Sequence, residues 1–562
     1  MARYVLISDT TLSHDYRNFP LLDFLPSAPT SGLPGPIYSY LKGRPPKGKN
    51  GRAGYATYPL RKLEAALLRE YNEEQVVVAH EDHFEDFIGP DTEVIGVTTM
   101  DPLGLAPLTM SYAIFFGTSG QAYVAKEFQT LMKRINAARS SSGTKAKLVV
   151  GGPGVWELTI RPEELDNMNI DYAFQGEADD IACELFRAIG EGSLGQEQFY
   201  GGFQTFDSSF HKQWLPHEKF ISRMQFAKQF PKLDEIPLIV NPTIKGMVEV
   251  MRGCGIGCDF CEVTLRPLRY YSPMQVRKEL EVNVKAGINH AWLHSDEIFA
   301  YEHGRNFVPN EEALLELLNV VMTTKGIEHA NPTHGRISIP AAYPDLLRKM
   351  SKVMKTSDAN WIGLQVGVET GSDRLAIKHM PKKTLPLKIG PDGSWQEIVW
   401  QGTFVMNKYY WRPAFTVQVG QDGENAEDNW ETVALINKMS ESKVDDRPFE
   451  FTIIPMQNVP LGLIKSRDFA SVTLDESQLA VYYASYRHLA KLASRDAFAR
   501  GRSGRDPSRL SKLGTGTIIS LGGKAMLHVV SSICRKKGLD LDKAARYGLE
   551  RKTPQAPSIP AM

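Results

Sequence analysis

The sequence predicts an α/β protein in four parts: a doubly wound domain over residues 1–190, a linker over 191–243, a partial (β/α)6 barrel over 244–465 and a helical C-terminal extension over 466–562. Three observations predict it. Short strand-like runs alternate with helical patterns through the first part, a second alternating series fills the middle, and beyond 466 the pattern is mainly helical. At 562 residues the chain exceeds the roughly 250–300 at which a single core stops growing, so two or three domains are expected.

In the first part, β-rich runs at 4–8, 75–79, 93–98, 147–150 and 170–174 are separated by segments 60–71, 122–138 and 179–191, whose apolar residues recur three and four apart. That alternation implies a parallel sheet with helices on both faces. Residues 191–243 are rich in Gly, Phe, Gln and Lys and lack a sustained period, which reads as a linker wrapping the surface. Barrel strands are predicted at 247–251, 291–294, 335–339, 362–368, 415–419 and 449–454, with helices such as 309–323 and 425–439 between them. Active sites in such barrels gather at the C-terminal ends of the strands. The extension carries a basic stretch (Arg487, Arg495, Arg500, Arg502, Arg505, Arg509, Lys512) interrupted by Ser, Gly and Asp. It reads as a solvated helix face in preference to a surface for an acidic protein or nucleic acid. The Pro-rich residues 553–562 are predicted to be disordered.

Hydrophobic residues make up 42% and charged residues 23%, the composition of a soluble globular protein. Lys plus Arg and Asp plus Glu are equal at 65, so no global field points to nucleic acid or an anionic membrane. The start, MARYVLISDT, lacks the features of a signal peptide, and no apolar run approaches the roughly 18 residues of a membrane span. The expected location is cytoplasmic, with no membrane partner. Five cysteines in so long a chain are no disulfide framework, and three of them lie within one short loop, which in a reducing compartment reads as a metal site.

That loop is Cys254-x-x-x-Cys258-x-x-Cys261, with Gly253, Gly255 and Gly257 letting the backbone curl so that three thiolates converge. Three thiolates on an iron-sulfur cubane leave the fourth iron without a protein ligand, whereas an electron-transfer cluster normally takes four. The alternative is zinc, which needs a fourth ligand such as His290, His294 or His303. Structural zinc motifs usually come as two paired spacings, and no second pair is present.

With this triad ending the first of six α/β strands, residues 244–465 resemble the radical S-adenosylmethionine (SAM) enzymes. The resemblance implies a 4Fe-4S cluster on Cys254, Cys258 and Cys261, whose open iron chelates SAM and on reduction cleaves it to methionine and a 5′-deoxyadenosyl radical. It implies SAM contacts at Phe260, beside the third cysteine; at Ser295, Asp296 and Glu297, which end the second strand; at Glu369 in Gly367-Val368-Glu369-Thr370-Gly371-Ser372; at Gln418; and at Met456, in the segment from Ile454 to Pro460. A carboxylate beside the SAM ammonium is a charge-assisted partner; Ser295 alone reads equally well as a helix N-cap. The segment from Gly420 to Asp428 resembles the family's Gly-x-Pro-Gly-Glu-Thr turn, with Asp422 in place of proline.

In the first part, Thr98-Thr99-Met100-Asp101-Pro102, Gly151-Gly152-Pro153-Gly154 and Gln175-Gly176-Glu177 follow the third, fourth and fifth strands, where ligands of doubly wound sheets lie. The glycines would let a bulky ligand approach the backbone; tight turns in a domain that binds nothing are the bland alternative. Followed by the barrel, these loops resemble the flavodoxin-like (Rossmann-like) cobalamin-binding domain of the B12-dependent radical SAM methyltransferases. The implied contacts are Thr98, Thr99, Met100, Asp101, Gly151, Gly152, Pro153, Gln175, Gly176 and Glu177. No G-x-G-x-x-G follows the first strand. The Asp-x-His-x-x-Gly of classical cobalamin domains is missing too, for Asp9 and His14 are five apart and the next glycine is Gly32. No histidine is therefore expected below the cobalt, and His14 is expected to be a loop residue.

Arg266, Arg269 and Tyr271 face either cobalamin and substrate or ordinary packing; Cys183 and Cys534 read as small core residues; His334 and Arg336 flank the third barrel strand. The resemblance implies a C-methyltransferase acting on an unactivated carbon, one SAM giving the radical and another remethylating cob(I)alamin. Within that family the long linker and helical extension bring to mind archaeal enzymes that modify a protein post-translationally, such as at a glutamine of methyl-coenzyme M reductase. The implied partners are a protein or peptide substrate and an external electron donor. Two other readings stay open: a cobalamin-dependent rearrangement, cyclisation or non-radical methylation of a small natural product, and a cobalamin or redox sensor.

Overall fold

The computed structural model describes residues 1–18, 20–117, 121–194, 201–206, 212–215, 218–459, 473–499 and 509–550. Arg500, Arg502, Arg505, Pro460 and the Pro-rich tail lie outside them.

Runs of β-branched and aromatic residues form the first sheet: β1 (Tyr4–Ser8), β2 (Val76–Val78), β3 (Val94–Thr98), β4 (Lys147–Gly151), β5 (Tyr172–Gln175) and β6 (Phe220–Ser222). Their order is β2-β1-β3-β4-β5-β6, all parallel. Such strands are buried on both faces and read as continuous apolar runs. Phe128, Leu131 and Ile135 of helix Tyr123–Ser142 cover one face. Leu60 of helix Tyr58–Leu67 and Leu185 and Phe186 of helix Ala182–Glu191 cover the other. The 191–243 segment is more than a linker, since it supplies β6, with Phe220 and Ile221 fully buried. At three residues, β6 is too short to show a period.

The second set of parallel strands is β7 (Met247–Glu249), β8 (His290–His294), β9 (His329–Pro332), β10 (Ile362–Glu369), β11 (Trp411–Val419) and β12 (Thr452–Gln457). They form two arcs, β7-β8-β9 and β10-β11-β12, joined by a parallel bridge from His334 to Gln365. The third strand lies earlier than the predicted 335–339: Ser338–Ala342 is helical. Ile337 and Ile339 alternate in sequence as a strand would, but both are buried at the start of this helix, where Gly402 lets another helix approach the Ile337 carbonyl. The true strand, His-Ala-Asn-Pro, holds few β-formers, and Pro332 has no N–H to continue the ladder.

Each half has its own apolar core, and Tyr58 and Phe115 of the first half join the core of the second. Helix Pro107–Phe116, after β3, packs on β12, where the Gln457 N–H donates to Ser111 Oγ at 2.5 Å, and reaches helix Glu476–Ala499 through Phe115, which stacks on Tyr482 with ring centroids 4.8 Å apart. Across the same boundary, Glu279 of helix Pro273–Lys285 accepts from Lys62 Nζ (2.5 Å), the Tyr58 hydroxyl (2.8 Å) and the Ile239 N–H (3.1 Å). Helix Arg509–Lys536 lies along Glu476–Ala499. There Cys534 is buried, while Cys183 donates to the Ala66 carbonyl at 3.3 Å. Among the described residues, no helix is long and apolar enough to cross a membrane.

Candidate active site

The cysteine loop leaves and re-enters the fold through a two-stranded antiparallel neck, Met251 opposite Tyr270 and Arg252 opposite Arg269. Gly253, Gly255 and Gly257 all have left-handed φ (83°, 67° and 83°). A Cβ at Gly253 would lie 2.6 and 2.5 Å from the Arg266 and Pro267 carbonyls, so only glycine fits. The Gly253 N–H donates to Asp296 Oδ2 at 2.7 Å. Between the second and third cysteines, the Asp259 N–H donates to the His379 carbonyl (3.1 Å), and His379 sets Nδ1 2.7 Å from Asp259 Oδ2 and Nε2 2.9 Å from the Asp422 carbonyl. Asp422 also gives its carboxylate to Lys378 at 3.0 Å. These hydrogen bonds fix the turn after β11.

Cys258 is buried and Cys254 and Cys261 are partly so. Burial pushes the Cys254 and Cys258 thiols up to about 12 and raises Cys261. These groups ionise only against strong positive charge, which bound iron supplies outright. Three thiols on a glycine-curled loop are the donor set a site-differentiated cluster requires. Among the described residues, no three His, Cys, Asp or Glu side chains are gathered tightly enough for a single metal ion. Of the possible zinc ligands, His290 and His294 lie on β8 and His303 stacks on Phe307 at 4.6 Å.

Facing the loop, Glu369 ends β10 at a bulge with φ 66°. Its carboxylate accepts from Lys383 Nζ (2.9 Å), Gln418 Nε2 (3.0 Å) and Thr416 Oγ1 (3.3 Å). Gln418 stands in register with Met456 on β12, and its Oε1 accepts from Asn458 at 2.6 Å. Glu369 and Gln418 therefore meet at the strand ends with Met456 in register beside them, and Phe260 packs half-buried against the same core. Lys383 had no signal in the spacing. Burial opposes its charge, yet Glu369 and Cys258 raise its pKa.

Ser295, Asp296 and Glu297 diverge. Asp296 alone touches the cysteine loop. Glu297 turns inward: it caps the turn Ile298–Ala300, sits 3.3 Å from Arg336 Nε, and burial raises its pKa. The cap is therefore Glu297 and not Ser295, whose buried Oγ finds no hydrogen-bond partner among the described residues. His334 sets Nδ1 3.1 Å from the Ser295 carbonyl, and burial lowers its pKa.

In the doubly wound half, the loops after β3 and β4 press on each other. A Cβ at Gly152 (φ 98°) would lie 2.6 Å from Thr98 Oγ1, and one at Gly154 2.6 Å from the Met100 backbone. These two glycines serve loop packing; Gly151 has open space beside it, and Pro153 is exposed. Met100 is 53% exposed at the tip. Asp101 is buried, accepting from Thr109 Oγ1 (2.5 Å) and the Ala106 N–H (3.1 Å). Gln175 is half-buried and Gly176 exposed. Glu177 spends its carboxylate on Arg269 (2.6 and 3.0 Å) and Arg252, which hold it below the usual carboxylate range against its burial. Tyr271 is buried beneath Lys62. His14 is a buried loop residue, Nδ1 2.7 Å from the Thr10 carbonyl and Nε2 3.4 Å from Glu81.

No family model matches the chain. Over 233 residues it is 27% identical to tRNA-2-methylthio-N(6)-dimethylallyladenosine synthase of Sulfurihydrogenibium sp. (strain YO3AOP1), a match covering 41% of this chain and 47% of that one. The chain thus spans about half the length of the curated relative it matches. Among solved structures it is similar to the radical SAM methyltransferase TsrM from Kitasatospora setae. With cobalamin and a 4Fe-4S cluster bound, that protein matches at TM-score 0.43 and 15% identity, over 77% of this chain and 72% of that one. With tryptophan substrate and the SAM analogue aza-SAM bound, the values are 0.45, 14%, 77% and 70%.

Asp9, at the end of β1, ties these loops together. It is fully buried and accepts from the Thr11 N–H and hydroxyl (2.9 Å each) and from Thr99 Oγ1 (3.1 Å). Burial pushes its carboxyl up to about 6, above the roughly 3.9 of an unfolded chain. The fold therefore holds this proton more tightly than the unfolded state does. Its contribution to stability, on the order of 3 kcal/mol, is complete below about pH 4 and lost as pH rises through about 6. Asp9→Asn removes that slope. Urea midpoints from pH 4 to 7 for both proteins check it, and parallel curves would contradict it.

Proposed function

We propose that the chain is a cobalamin-dependent radical SAM C-methyltransferase acting on an unactivated carbon in a protein or peptide side chain, glutamine among the candidates. The observation that carries this reading is the arrangement of the cysteine loop: its thiols lie within charge range of the Glu369–Lys383 pair on one side, and its neck is joined to the loop after β5 on the other. When bound, a 4Fe-4S cluster with SAM supplies a 5′-deoxyadenosyl radical after reduction by an external donor, and cobalamin supplies the methyl group. The chain's own residues hold and orient. Asp296 fixes the first turn of the cysteine loop, His379 braces its far side, and Lys383 and Glu369 offer SAM's carboxylate and ammonium a paired cation and anion. The loops after β3 and β4 offer a surface with Met100, Gly151 and Pro153 outward. The helical extension favours a protein or peptide over a small molecule.

The test is anaerobic incubation of the iron- and sulfide-reconstituted full chain with cobalamin, SAM, a strong reductant and candidate glutamine-containing peptides. The expected products are S-adenosylhomocysteine and 5′-deoxyadenosine together, with a peptide heavier by one methylene. Cobalamin retention without any SAM cleavage would replace the reading by a sensor, and 5′-deoxyadenosine without S-adenosylhomocysteine by a rearrangement.

A further inference from the structure

The neck of the cysteine loop sets two arginines face to face, for Arg252 and Arg269 are paired across the ribbon. Like charges directly opposite each other in a strand pair destabilise it. One carboxylate joins them, and it comes from the other half of the molecule: Glu177, after β5, takes Arg269 through both oxygens (2.6 and 3.0 Å) and Arg252 through one. The two arginines differ in what else they hold. Arg252 keeps Glu249 at 2.9 Å and Asp179 at 2.8 Å. Arg269 has no other carboxylate within ion-pair distance among the described residues; it keeps the Pro231 carbonyl at 2.9 Å. All three side chains of the junction are largely buried, at 10–16% exposure. Glu177 is itself braced, because Arg223 donates to its carbonyl at 2.7 Å while pairing with Asp180.

We infer that Glu177 is a positioning residue, a clamp delivered by the doubly wound half that closes the neck of the cysteine loop. Its effect on the cluster rests on the function proposed above; its effect on the loop does not. Removing the Glu177 charge strands Arg269 as a buried cation, a larger penalty than the pair itself is worth. The neck then opens, although the substitution lies 92 residues from Arg269 in sequence.

The decisive measurement is hydrogen–deuterium exchange of segment 253–268 in the full chain with no cofactor added, followed by iron retention against a chelator after reconstitution. Glu177→Gln is expected to speed both exchange in this segment and iron loss by roughly tenfold or more, with the β10–β12 strands unchanged. Glu177→Gln combined with Arg269→Met removes the stranded charge and is expected to return exchange to within about threefold of the unaltered chain. Arg269→Met alone leaves Glu177 with Arg252 and is expected to stay in that same range. Unchanged exchange in Glu177→Gln, no recovery in the double variant, or uniformly faster exchange across the barrel would each overturn the clamp. A chain that takes up no iron in any form would sink the cluster assignment while leaving the exchange result to decide the clamp.

Discussion

Replacing Cys254, Cys258 or Cys261 by alanine, one at a time, abolishes 5′-deoxyadenosine formation and leaves cobalamin binding largely intact. Two thiolates do not hold a cubane in place, and the polar side chains beside the loop are already engaged, Asp296 by the Gly253 N–H and Asp259 by His379. The thiols are neutral when no metal is present, so their loss removes no folded-state charge, and the substitutions are mild for the fold. The loops that face the proposed cobalamin belong to β3, β4 and β5, outside the cysteine loop altogether. Iron content, the electron paramagnetic resonance signal of the reduced protein and chromatography of SAM products read the three variants. SAM cleavage retained in all three would overturn the assignment.

Glu279→Ala has the largest expected effect on stability, a loss of about 3–5 kcal/mol. Lys62 has no exposed side-chain surface and would be left as a buried cation, while the Tyr58 hydroxyl and the Ile239 N–H lose their acceptor. Replacing both Lys62 and Glu279 by methionine keeps the volume and removes both charges. Because buried pairs often cost as much to desolvate as they return, the double variant is expected to recover more than half of the loss. Urea unfolding followed by tryptophan fluorescence measures both. A single-variant loss under about 1 kcal/mol would mean that water reaches Lys62.

What the sequence disclosed and what it concealed follow from the range of the forces involved. β1, β3 and β4 are continuous apolar runs, legible because burial on both faces leaves a local signature, and the cysteine spacing is local too. β6 escaped because three residues carry no period, and β9 because two alternating isoleucines at a helix start resembled a strand more than His-Ala-Asn-Pro does. In the site, Glu369, Gln418 and Met456 are named by the family resemblance alone, and the strand register is what brings them to neighbouring strand ends. The roles of Glu177, Glu297 and Gly152 are not legible in the sequence. Each is decided by a partner far away in the chain or across a loop, Arg252 and Arg269 for the first, Arg336 for the second and Thr98 for the third.

Helix Pro107–Phe116 has a bearing on how the chain is made. Its Ser111 meets Gln457 across 346 residues, and its Phe115 lies under Tyr482. Domains generally fold as units, N-terminal first, and on that order this apolar helix would stand ready before the last barrel strand is made. β12 is then laid onto a surface already in place. Barrel closure would then be templated by the doubly wound half, so that the position of β12 depends on a helix made 346 residues earlier.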